Sequence, residues 1–257
     1  MAFDWADTQE VNQSQSGLFD FGDSHAASTH EPALVSAEPL GVRERLSFEK
    51  AALGFYYSGH LFELYVGEVR RIAKRRIVDL VDSREPVLVA GVVTDLRLVN
   101  NQRGRVAIFK LDDMSERVEA VVNDEVLESV RDLLREDELL VVQGRAQPDR
   151  FSGGLRLNVQ QAWDLAAARA RFGRYLAVSV NGAVPPLQEL LRQWPVRRVP
   201  TEQGSTTLGL AVRLCIERSE ARAELDLGEE GRFWPSDDAL SRWKAVAHGG
   251  QAAIVYE

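Results

Sequence analysis

Residues Pro86–Val99 read PVLVAGVVTDLRLV, and they are followed by NNQRG (100–104) and RVAIFKL (105–111). Val and Leu at a period of two, cut by a Gly-containing turn, predict two strands of a hairpin. Working outward, DDMSER turns the chain into VEAVV, a third strand. DEVLESVRDLLRE (124–136) predicts a helix with Val126, Val130, Leu133 and Leu134 on one face. ELLVVQGRAQ supplies a fourth strand, PDRFSGG a Gly-rich turn and LRLNVQQAWDL a fifth. Three strands, a helix and two strands form the layout of a five-stranded OB-fold barrel.

The flanks organise around this barrel. In residues 43–80, Leu46, Lys50 and Leu53 and then Leu64, Val69 and Ile72 recur at helix-like spacing, on either side of Ser58-Gly59. Beyond the barrel, LAVSV, PPLQELLRQW, TTLGLAVRLCI, ARAELDL, DDALSRWKAV and QAAIVYE predict the order β-α-β-β-α-β. The second helix is expected to open on an Asp cap. The predicted class is mainly β with α+β. The expected divisions are a tail over 1–42, a helical linker over 43–84, the barrel over 85–166 and a small α+β domain over 167–257.

The chain has 257 residues, is 45% hydrophobic and 27% charged, and carries a net charge of -8. Seven of its 39 acidic residues lie in residues 1–40, where there is no Lys or Arg, so 32 acids face all 31 bases elsewhere. The acidity therefore belongs to the tail, and a negative total does not exclude a nucleic-acid partner. The tail is polar and lacks a sustained period, so it is expected to stay flexible. No apolar run reaches the ~18–20 residues of a membrane span, and the start lacks a secretory signal. One cysteine, Cys215, cannot form an intrachain disulfide, so a cytoplasmic setting is expected.

Catalytic patterns are scarce. His25, His30, His60 and His248 stand at no metal-ligand spacing from Cys215 or one another, and neither a phosphate-cradling GxxxxGK[ST] nor a GxSxG elbow occurs. No metal, cofactor or catalytic residue is therefore predicted. Asp112-Asp113 ends a strand, which points to turn chemistry. The stretch from Arg97 to Lys110 is more telling. It holds Arg97, Arg103, Arg105 and Lys110 and no acid. The other loop that flanks an OB binding face holds Arg150 and Phe151, with Arg145 and Arg156 near them and only Asp149 opposing. Guanidinium groups can track phosphates and an aromatic ring can stack on a base. The competing reading makes Arg103-Gly104 a solvated tip and Phe151 a core plug.

In the tail, Gln15-Ser16-Gly17-Leu18-Phe19 joins a polar residue to apolar anchors. Each anchor is worth about 1.5–3 kcal/mol if buried on a partner, and ordering the segment offsets several kcal/mol of that. The result is a weak hook whose effect depends on tethering. The alternative, that Leu18, Phe19 and Phe21 pack back on the globular part, stands equally open.

These residues resemble the C-terminal part of the bacterial replicative DNA polymerase III alpha subunit, over most of the chain. LGFYYSGHLFE (53–63) is similar to the family's LGFYLSGHP, with Leu61 where Pro is usual. AIFKLDD and PDRFSGGLRL are similar to its LDD…FSGGL pattern, although Met114-Ser115-Glu116 lacks the Gly that often follows LDD. Gln15, Leu18 and Phe19 resemble its internal clamp-binding motif. The resemblance implies that the barrel contacts single-stranded template, that the tail grips the sliding clamp (the beta subunit), and that the last domain binds the clamp-loader tau subunit. The aromatics Trp194, Phe233, Trp234 and Trp243 are expected to divide between core and interface. Gln251–Tyr256 is faintly similar to a second clamp peptide, but its alternation favours an edge strand. The family's palm carboxylates and its N-terminal phosphoesterase-like domain have no counterpart in these residues, so the chain, read as a fragment, is not expected to polymerise DNA alone. Two other readings fit an OB barrel: a tRNA-anticodon accessory domain and a stand-alone single-stranded DNA-binding protein.

Overall fold

A computed structural model describes residues 39–101, 104–149, 153–181, 185–201, 204–218 and 221–256. The tail peptide with Gln15, Leu18 and Phe19 lies outside the described residues, as do Arg103, Arg150 and Phe151. The linker contributes helix α1 (Val42–Leu53) and helix α2 (Val66–Ile72). Short 3-10 turns at Leu61–Leu64 and Ile77–Asp79 complete it.

The barrel is built from β1 (Val87–Asn101), β2 (Gly104–Asp112), β3 (Arg117–Val122), helix α3 (Asp124–Val130), β4 (Leu139–Pro148) and β5 (Leu155–Trp163). It closes in the order β1-β2-β3-β5-β4, with β3 and β5 parallel. Alternate residues of each strand fill its interior, among them Val89, Phe109, Ala120, Val142 and Leu157, all at most 1% exposed. At Gly144 a Cβ would sit 2.4 Å from the Asn158 carbonyl oxygen, so only glycine allows β4 and β5 to approach there.

The two sides of the barrel wall differ. Ala90, Val92, Leu139 and Val141 point outward from β1 and β4 and yet are buried. They lie under Leu46, Phe62, Val69 and Ile72 of the linker and Ala168 of helix α4 (Leu165–Phe172). A strand buried on both faces reads as a continuous apolar run, which accounts for VLVAGVV and LLVV. The outer faces of β2, β3 and β5 lack this cover, and the alternation of apolar and polar residues is clearest in β5, over Leu155–Gln160.

The second sheet has the order β10-β9-β6-β11, from β6 (Gly173–Val180), β9 (Val212–Glu217), β10 (Arg222–Asp226) and β11 (Ala252–Tyr256). Helices α5 (Leu187–Gln193) and α6 (Asp237–Val246) accompany it. The expected strand TTLGLAVRLCI is broken. Its first half forms β8 (Gly204–Leu208), which pairs with β7 (Arg197–Thr201) in a separate hairpin, while Leu210 bridges to Phe233. Helix α6 is capped by Ser236, whose Oγ accepts from the Ala239 N–H at 3.3 Å, rather than by an aspartate. Phe233 and Trp243 are fully buried and Trp234 is 7% exposed, so these aromatics are core. Gln251 precedes β11, an edge strand paired with β6 alone.

Candidate nucleic-acid interface

The uncovered wall is a row of side chains set by register. Arg97 pairs with Ile108, Ile108 with Val121, Val121 with Asn158, and Asn158 with Arg145. Directly paired residues share a face, and the neighbours Ala107, Phe109 and Ala120 point into the core. The row therefore faces away from the core, with half-buried Ile108 and the buried Val121 at its centre, an amide beside them and an exposed arginine at each end. A bulge in β1 between Thr94 and Arg97 sets this register, and Asp95 occupies it with φ of 55°. Bulges re-aim side chains in this way, and a short acidic side chain tolerates the left-handed conformation.

Arg97 and Arg145 are exposed, as is Arg105 at the start of β2, and none of the three is paired with a carboxylate among the described residues. The Arg105 backbone N–H donates to Asp124 Oδ1 at 3.1 Å, which ties the β1–β2 hairpin to the start of α3. Lys110 is different. Its Nζ lies 2.7 Å from Asp95 Oδ2, and that hydrogen bond holds the Asp95 carboxyl below its ordinary range. Its charge is therefore already compensated. Arg156 is likewise held by Glu119 at 2.7 Å and Asp149 at 3.2 Å. By sequence Arg145 stands only near the site, whereas its register with Asn158 brings it into the row. Asn158 carries no charge to mark it in the sequence, and its amide donates to Gln147 Oε1 at 2.9 Å.

Asp112 and Asp113 are structural. Asp112 accepts from the Met114 N–H at 2.9 Å and from Arg117 Nε at 2.5 Å. Asp113 accepts from the Ile77 N–H at 3.0 Å, Arg70 Nη2 at 2.6 Å and Ser115 Oγ at 2.5 Å. Burial works to raise both carboxyls, but these hydrogen bonds prevail and hold them below the usual range. His60 links the two quoted motifs. Its Nδ1 accepts from the Phe62 N–H at 3.0 Å, and its Nε2 lies 3.3 Å from Asp112 Oδ1. Leu61 is buried in this turn. Among the described residues no cluster of three or more His, Cys, Asp or Glu is arranged to hold a metal, and no helix is long and apolar enough to cross a membrane.

Residues 87–165 match the model of an OB-fold nucleic acid binding domain. DNA polymerase III subunit alpha of Pseudomonas aeruginosa is 35% identical over 78% of this chain and 17% of the relative. That of Neisseria meningitidis is 36% identical over 70% of this chain and 16% of the relative. That of Vibrio cholerae is 30% identical over 94% of this chain and 21% of the relative. The chain belongs to the bacterial DNA polymerase III alpha-subunit family. It corresponds to the C-terminal OB-fold region of that family. It spans about a fifth or less of the length of the curated relatives it matches. The alpha-subunit relationship extends beyond the barrel on both sides, because the matched share of this chain is much larger than the barrel itself.

Proposed function

We propose that the chain acts in DNA replication as a non-catalytic contact region of a DNA polymerase III alpha subunit, in the cytoplasm, with its barrel binding single-stranded DNA. The observation that carries this reading is the outward row from Arg97 to Arg145, which ends in two exposed arginines that form no ion pair with a described carboxylate. Arg97, Arg105 and Arg145 contact phosphates, and Ile108 supplies an apolar floor under a base. By their place in the sequence of the two flanking loops, Arg103, Arg150 and Phe151 are proposed as further contacts, and Lys110 stiffens the wall through Asp95.

The remaining assignments rest on the family relationship and on the motif order. The segment 1–42 carries Gln15, Leu18 and Phe19 to the sliding clamp. Residues 43–84 link it to the barrel at 85–166. The domain at 167–257 takes the clamp-loader tau subunit. Burial of Phe233, Trp234 and Trp243 removes them as anchors, and of the four aromatics the half-buried Trp194 keeps that role.

The test is a titration of the full chain with a single-stranded oligonucleotide and, in parallel, with a tRNA, at two salt concentrations. Replacing Arg97, Arg105 and Arg145 with Ala should make the log–log salt slope shallower by about 0.7 for each phosphate no longer neutralised. An unchanged affinity and slope for DNA would defeat the reading, and preferential binding of the tRNA would favour an anticodon-type role.

A further inference from the structure

A second basic surface lies beside the barrel. A cleft of about 1050 Å³ opens between β5 with α3 on one side and the β7–β8 hairpin on the other. Three exposed arginines line it: Arg171 at the end of α4, and Arg197 and Arg198 on β7. Among the described residues none of the three is paired with a carboxylate. The acid that lines the cleft, Asp164, is engaged as the cap of α4, with its Oδ1 2.6 Å from the Ala167 nitrogen.

Two of these arginines sit over indole rings. The Arg197 guanidinium carbon lies 4.0 Å from the centroid of the Trp234 ring, and that of Arg171 lies 5.1 Å from the Trp163 ring. Trp163 is itself fixed edge-on by Phe172, with ring centroids 5.3 Å apart. A guanidinium stacked on an indole keeps its hydrogen-bond donors free at its rim and exposes its outer face. Such a plane can take a phosphate at the edge and a base on the face. No described carboxylate competes for the charge.

The cleft also continues the barrel wall. Gln160 and Gln161 line it, and they follow Asn158 of the outward row on the same strand, β5. A bulge at Gln160 of β5, opposite Gln143 and Gly144 of β4, displaces the register there, and both glutamines are exposed. A strand crossing the row would meet amide side chains and then the three arginines.

We propose that this cleft is a second contact surface for single-stranded nucleic acid. Arg171, Arg197 and Arg198 bind its phosphates, and the two stacked guanidinium planes bind its bases. The continuity along β5 rests on the reading of the barrel wall, while the charge and stacking of the cleft do not.

The full chain is titrated with a single-stranded oligonucleotide of about 20 nucleotides, longer than one barrel occupies, over a salt series. Three triple variants are compared with the parent. The cleft variant is Arg171→Ala, Arg197→Ala, Arg198→Ala. The wall variant is Arg97→Ala, Arg105→Ala, Arg145→Ala. The control removes three exposed arginines elsewhere, Arg192→Ala, Arg218→Ala, Arg242→Ala.

The cleft variant should bind roughly tenfold more weakly at low salt, with a slope shallower by about 2, while the control stays close to the parent. Should the cleft variant unfold, the corresponding Lys triple keeps the slope and loses affinity through the weaker stacking. If the wall variant is silent and the cleft variant is not, the barrel reading falls and this one stands. Parental affinity and slope in the cleft variant, or an equal loss in the control, would overturn the proposal. So would a cleft variant that keeps its DNA affinity but loses binding of a peptide covering the acidic residues 1–40, because the surface would then serve protein.

Discussion

Arg169 is the residue whose removal should be felt furthest. It lies on α4, 5% exposed, and its donors reach both neighbouring parts of the fold. Nε and Nη2 each donate to Glu68 of α2 at 2.7 Å, and Nη1 donates to Asp237 of α6 at 2.6 Å and to the Pro235 carbonyl at 3.2 Å. Tyr256 of β11 donates its hydroxyl to the same Glu68 at 2.6 Å. Cutting a fully buried pair at one partner costs about 3–5 kcal/mol. Here the Glu68 side chain is 28% exposed and that of Asp237 is 68% exposed, so the second pair is worth little and the total falls to about 3 kcal/mol. Arg169→Ala should therefore lower the urea midpoint by about 1.5 M, taking a slope of about 2 kcal/mol per M. Trp fluorescence can follow the transition, since Trp243 is fully buried in the second sheet.

The triple change Arg169→Met, Glu68→Leu, Tyr256→Phe removes the buried part of the cluster and should cost less than the single change, because the one charge left, Asp237, is exposed to water. The pH dependence gives a second readout. Burial works to raise the Glu68 carboxyl, but Arg169 outweighs it and the folded value lies below the ordinary 4.5. That stability is present above about pH 4.5 and is lost as pH falls through the folded value. Burial, aided by Glu68, raises the Tyr256 hydroxyl above its ordinary 10.0. Its share is present below pH 10 and disappears as pH climbs through the folded value. The gap between parent and Arg169→Ala should therefore be widest near neutrality and narrow in acid. A loss under about 1 kcal/mol, or a triple variant that falls as far as the single one, would refute this account.

Three further outcomes are expected. Asp113→Ala strands the Ile77 N–H and Arg70 and should cost about 2–4 kcal/mol in denaturant unfolding; a loss below about 1 kcal/mol would show that water replaces the carboxylate. Gly144→Ala forces a methyl group to 2.4 Å from the Asn158 carbonyl oxygen and should lower the thermal midpoint by several degrees, at about 1–3 kcal/mol; an unchanged midpoint would mean that β4 and β5 part easily. Gln15→Ala with Leu18→Ala and Phe19→Ala should abolish capture of the sliding clamp by the full chain while leaving DNA affinity intact, and retained capture would move the clamp contact to another segment.

The barrel was legible because its strands and its helix carry different periods, and because closure leaves no strand edge to be guessed. The second sheet was less so. TTLGLAVRLCI keeps its apolar character across a break that local sequence does not mark. The break is tertiary: a Cβ at Gly209 would lie 2.6 Å from a Val196 methyl, and Leu210 is diverted to pair with Phe233. Likewise RRVP (197–200) lacks the alternation of a buried strand, because β7 pairs only with β8 in an exposed hairpin. The same hairpin places two of the three cleft arginines, so the cleft could not be read before β7 was known. Lys110 shows the converse limit. A base in a stretch free of acids from Arg97 onward looks unpaired, yet Asp95 reaches it across the bulge.

The orientation of the binding wall follows from which strands the fold covers. VLVAGVV and LLVV have no polar alternation because the linker and α4 cover their outer faces. LRLNVQQ alternates because its outer face is open. The covered outer faces belong to β1 and β4, so the free wall is that of β2, β3 and β5. Adding register turns that wall into the specific row from Arg97 to Arg145. By composition alone, all four bases between 97 and 110 weigh equally. Register and pairing separate them: Arg97 and Arg105 keep their charge for a ligand, whereas Lys110 already holds Asp95 and leaves little for one.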